Sequence, residues 1–201
     1  MAGCSSATPS PTVENALLEV PSANGHGTES AMALVGHLAG TPAPLGAKAK
    51  HAIYTPTETR VVLEGVTCGA NLDAAYAKAG SKAQRVCKDG ELTLSASGDA
   101  IEEWNPWKVD GWRVGPLAAL PDVATGNTFK PNRITLHGNT ALAELTPKQP
   151  SPFVDRLGSS MADTDWAVRP RPGGHSYHKG VWTAVIEQDG AQVTVHIEAA
   201  L

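Results

Sequence analysis

Histidine supplies the chemical group that stands out in this chain of 201 residues. His175-Ser176-Tyr177-His178 follows a Gly-rich run, and His196 lies on the polar side of an alternating stretch near the end of the chain. Imidazole nitrogen is a preferred ligand for Zn²⁺ and Cu²⁺. A loop bearing His175 and His178, folded back on the segment of His196, would make a three-nitrogen metal site, with His137 as a candidate fourth ligand. The spacing is unspecific. No His-Glu-x-x-His helix is present and no acidic partner stands at a defined interval, so exposed histidines without a ligand role are the plainer reading.

Indole rings are the second candidate. Trp104, Trp107 and Trp112 share a stretch with Glu103, Asn105, Asp110 and Arg113. Exposed aromatic faces beside hydrogen-bonding groups suit sugars or peptides, which makes Trp107, Trp112, Glu103 and Arg113 the expected ligand-binding set. Core packing is the competing reading, because the chain has only two Phe and three Tyr to fill an interior.

Acid–base and nucleophilic chemistry finds less support. Glu102 and Glu103 are adjacent, so on a strand they point to opposite faces and cannot work as a facing pair. No Gly-x-Ser-x-Gly elbow or phosphate-cradling Gly-rich loop with its lysine occurs. Asp155, Asp163 and Asp165 lack the ligand order of a calcium loop. No catalytic residue and no cofactor is therefore assigned; an enzyme assembled from distant residues is the remaining class. A formal charge of -4 argues against a nucleic-acid protein, which would carry a basic face. No apolar run is long enough to span a bilayer as a helix.

The N-terminus reads Met1-Ala2-Gly3-Cys4, then Ser5-Ser6-Ala7-Thr8-Pro9-Ser10-Pro11-Thr12. This stretch resembles the start of a mature bacterial envelope lipoprotein. In that class a Leu-Ala-Gly-Cys-like box ends the signal peptide, the cysteine becomes the lipidated N-terminus, and a Ser/Thr/Pro tether follows. Met1 stands where the box usually has Leu, and the charged and apolar parts of a signal peptide are absent, so the resemblance implies that they were trimmed away. An N-terminal tail with one incidental cysteine is the alternative. The resemblance implies a lipid at Cys4, attachment to the outer face of a cell membrane or secretion, and an envelope protein or glycan as partner. In that oxidising setting Cys68 and Cys87 are expected to pair, closing a loop worth about 3 kcal/mol in the chain-entropy model. Two unpaired thiols are the alternative.

The elements that must position these groups are short, since 20 Gly and 15 Pro interrupt the chain. Residues 1–27 read as a disordered tether and 28–201 as a single β-rich domain. Helices are expected over 31–39 between a Thr or Ser cap and Gly40, with a buried strand as the alternative because of Gly36, over 72–79 with Asn71 as cap and Gly80 as stop, and over 153–161 after Ser151-Pro152, with Gly158 a candidate early stop. Strands are expected over 51–54, 60–66, 91–97, 100–104, 112–114 and 165–169, with 170–174 a loop. Two hairpins follow from turn chemistry: 133–137 with 140–145 about Gly138-Asn139, and 181–187 with 191–199 about Gln188-Asp189-Gly190. The expected class is mainly β (α+β): short antiparallel strands in a sandwich-like or barrel-like sheet, one to three short helices and one disulfide. The expected function is a non-catalytic, lipid-anchored extracytoplasmic protein that binds a partner or ligand. The alternative is a metal-binding protein or metal-dependent enzyme using His175, His178 and His196.

Overall fold

The structure, a computed structural model, describes residues 18–19, 43–98, 112–113, 115–121, 131–172 and 174–200. The expected lipid site Cys4, the ligand-binding candidates Glu103 and Trp107, the helix over 31–39 and the strand over 100–104 lie outside the described residues.

The protein is mainly β. Its strands are β1 (Leu18–Glu19), β2 (Ala43–Pro44), β3 (Lys48–Tyr54), β4 (Glu58–Glu64), β5 (Gln84–Lys88), β6 (Glu91–Ser97), β7 (Arg133–His137), β8 (Thr140–Leu145), β9 (Ala167–Arg171), β10 (Gly174–Lys179), β11 (Trp182–Asp189) and β12 (Gln192–Ala199). Helix α1 (Ala70–Ala79) joins β4 to β5, α2 (Pro150–Asp163) joins β8 to β9, and a 3-10 turn covers Gly115–Ala119. Ten strands form one antiparallel sheet in the order β5-β6-β4-β3-β7-β8-β12-β11-β10-β9, while β1 and β2 pair separately. Leu18–Glu19, within the expected tether, thus pairs with Ala43–Pro44.

This order reveals a plan absent from any local pattern. A hairpin, β3-β4, leads through α1 to the outer edge strand β5, and β6 returns beside β4. A second hairpin, β7-β8, leads through α2 to the opposite edge strand β9, and β10, β11 and β12 step back until β12 lies beside β8. The two units meet where β3 pairs with β7.

Period-two alternation decides which face is covered. Val61 and Leu63 on β4, Leu92 and Leu94 on β6, Ala141, Ala143 and Leu145 on β8, and Val193, Val195 and Ile197 on β12 are all buried. Both helices pack on this face. Helix α2 supplies Phe153, Leu157 and Met161 at four-residue spacing, one stripe of its surface, whereas α1 buries only Leu72 and Tyr76. Burying a large apolar side chain contributes roughly 1.5–3 kcal/mol, so α1 has less to hold it. A covalent link compensates. Cys68, just before α1, is bonded to Cys87 on β5, with a Cα–Cα distance of 5.6 Å.

Several local expectations hold. Strand 91–97 and the 133–137/140–145 hairpin stand where the pattern put them, and Gly80 ends α1 in the left-handed conformation with φ 67°. Asp89 and Gly90 make the two-residue turn between β5 and β6 with φ 52° and 81°, the double positive φ of a type I′ hairpin.

Others are corrected. Asn71 lies inside α1; the Gly69 carbonyl accepts from the N–H groups of Leu72 and Asp73 and makes Gly69 the cap. Helix α2 starts at Pro150, before the Ser151-Pro152 pair, because Pro150 also suits a first-turn position. It then runs through Gly158. A Cβ there would lie 2.9 Å from the Tyr177 hydroxyl oxygen, so Gly158 leaves room for the sheet rather than stopping the helix. Trp112 sits in a turn, not a strand. Residues 170 and 171 belong to β9, which tolerates Pro170 because an edge strand leaves one row of N–H groups unpaired.

Candidate functional site

The expected three-histidine set is not brought together. His175 and His178 are on strand β10, not in a loop, and β10 pairs antiparallel with β9. Three positions apart on one strand, they face opposite sides of the sheet. His175 shares the covered face with Ile186, its partner on β11, yet is exposed. His178 and His196 share the open face but stand two strands apart, which separates their backbones by roughly 10 Å. Both ring nitrogens of His178 are occupied besides: Nε2 lies 3.1 Å from Ser176 Oγ and Nδ1 3.2 Å from Thr183 Oγ1. Among the described residues no group of three or more His, Cys, Asp or Glu side chains gathers to hold a metal ion.

Trp112 and Arg113, from the expected ligand-binding set, make contacts within the fold. Trp112 is buried and meets Phe153 edge-on, with ring centroids 6.1 Å apart, so packing wins over an exposed indole face. The Arg113 guanidinium donates to the Leu120 carbonyl at 2.9 Å, closing the chain around the 3-10 turn.

What the structure does assemble is the open face of the ten-stranded sheet. Along its middle, Val62, His51, His137 and Thr140 occupy one row across β4, β3, β7 and β8. The next row carries Ile53, Thr135, Leu142, His196 and Val185 across β3, β7, β8, β12 and β11. Ile53, Val62, Leu142 and Val185 are half-buried, interleaved with hydroxyl and imidazole groups. At one end Lys50, carried by a bulge in β3, forms an ion pair with Glu91 on β6, and this hydrogen bond raises its pKa. At the β4–β6–β5 corner a depression of about 310 Å³ is lined by polar groups that include Arg60, Gln84, Ser95 and Ser97. Its lining is unlike that of small-molecule pockets, which are mostly apolar.

His51 and His137 face each other across β3 and β7 on this face. Their rings lie edge-to-face with centroids 5.9 Å apart. The flanking bond from the Gly138 N–H to the Lys50 carbonyl, 3.3 Å, makes 51/137 a non-hydrogen-bonded pair of the ladder, where side chains come nearest. Burial lowers the His51 pKa, the neighbouring His137 ring and Arg60 lower it further, and a backbone hydrogen bond with Leu136 acts the other way. Sequence reasoning placed both residues at strand ends and missed the pair, because only the β3–β7 pairing joins them.

No family model, curated protein or solved structure matches this chain. Among the described residues no helix is long and apolar enough to cross a membrane.

Proposed function

We propose that this chain is a non-catalytic, lipid-anchored protein of the cell envelope that binds a partner on the outer side of the membrane, with the open face of its sheet as the binding surface. The observation that carries the binding role is the asymmetry of that sheet. One face is sealed by α1, α2 and the 3-10 turn, while the other leaves Ile53, Val62, Leu142 and Val185 half-exposed among polar groups. Aliphatic positions interleaved with hydrogen-bonding side chains suit a polar, wet contact with a protein or glycan better than an enclosed apolar pocket. The Cys68–Cys87 disulfide supports a place outside the cytoplasm, since such bonds persist in oxidising compartments. The Cys4 box and its Ser/Thr/Pro tether support the anchor.

Intact-mass analysis of the protein recovered from its native cells tests this reading. A diacylglycerol-sized addition at Cys4, with Cys68 and Cys87 protected from alkylation, is the expected result. An unmodified Cys4 together with two alkylated thiols would overturn it.

A further inference from the structure

The geometry points to a two-histidine site for a divalent first-row transition metal, formed by His51 and His137 where β3 meets β7 on the open face. This inference does not rest on the envelope reading, and it uses a different pair from the His175, His178 and His196 set. Two observations carry it. The two residues are direct cross-strand partners at a non-hydrogen-bonded position, so both rings leave the sheet on one side and over the same spot. Their centroid separation of 5.9 Å lies within the roughly 4.5–6.4 Å that two imidazoles on one ion span with metal–nitrogen bonds of about 2.0–2.1 Å.

Solvent reaches the pair, since His137 is exposed and His51 half-buried. With no third protein ligand among the described residues, water or a partner's side chain completes the coordination. Two nitrogens with the remaining positions open favour Cu²⁺ over Zn²⁺ or Ni²⁺ by the usual order of stability.

Calorimetric titration of the full chain with Cu²⁺, paired with electron paramagnetic resonance, tests the site. The expected result is a Cu²⁺ ion coordinated by two imidazole nitrogens. His51→Gln and His137→Gln should each weaken binding by at least about tenfold, as loss of even an outer-shell partner does. His178→Gln and His196→Gln should leave it unchanged. If the His51→Gln/His137→Gln protein binds Cu²⁺ as tightly as wild type, or the wild-type spectrum lacks a two-imidazole signature, the site is overturned. The spectrum of the wild-type protein needs no variant to fold.

Discussion

The two faces of the sheet are built from the same strands by alternate residues, yet they carry opposite chemistry. On β12, Val193, Val195 and Ile197 point into the core while Thr194, His196 and Glu198 point away from it. The covered face is apolar, and its neighbours are fixed by helices that need something to pack against. On the open face, hydroxyls, imidazoles and half-buried aliphatic residues alternate across strands, and among the described residues no helix covers them. The difference teaches that stability and binding can be separated in this molecule. Changes on the covered face should unfold it, and changes on the open face should alter what it holds.

The largest effect is expected from Phe153→Ala, which removes the ring that α2 places against Trp112 in the core. Chemical denaturation should show a loss of about 3–5 kcal/mol. Replacing Cys68 and Cys87 together by Ser should cost about 3 kcal/mol. Hydrogen exchange should place the damage in α1 and β5, since α1 has only Leu72 and Tyr76 as buried anchors and β5 is an edge strand. Damage spread evenly over both halves would break the contrast drawn between the helices. Gly158→Ala brings a methyl group against the Tyr177 hydroxyl and should destabilise by about 1 kcal/mol. In a Tyr177→Phe background the same change should instead stabilise, by up to about 1 kcal/mol, because alanine is the better helix former.

On the open face Leu142→Thr should move stability by no more than about 0.5 kcal/mol, measured by the same denaturation. A pH titration sharpens the contrast. Burial raises the pKa of both Tyr76 and Tyr177. Their phenols therefore stay protonated in the folded state while those of the unfolded chain ionise near pH 10. The unfolded state then binds fewer protons, so stability should fall as the pH rises through about 10. Tyr76→Phe should flatten that slope.

Much of the covered face was readable from local pattern. The alternation of Leu92 and Leu94 with Thr93 and Ser95, the Gly138-Asn139 turn and the left-handed Gly80 each follow from residue chemistry within a few positions. The open face was readable only in part, because alternation says that His51 and His137 leave the core without saying that they meet. Their meeting depends on β3 lying beside β7, a pairing between strands far apart in the chain. The β9–β10 pairing was hidden for another reason: Pro170 reads as loop, although an edge strand accommodates it. Gly158 misled in the same way, since its reason lies across the core on Tyr177.

Thermal unfolding with and without Cu²⁺, compared between Phe153→Ala and the His51→Gln/His137→Gln double variant, tests the separation of faces most directly. The account predicts that Phe153→Ala unfolds roughly 10 °C lower than wild type but keeps the rise in midpoint that Cu²⁺ produces. The double histidine variant should unfold at the wild-type temperature and lose that rise. A double variant that unfolds as early as Phe153→Ala, or that still responds fully to Cu²⁺, would contradict it.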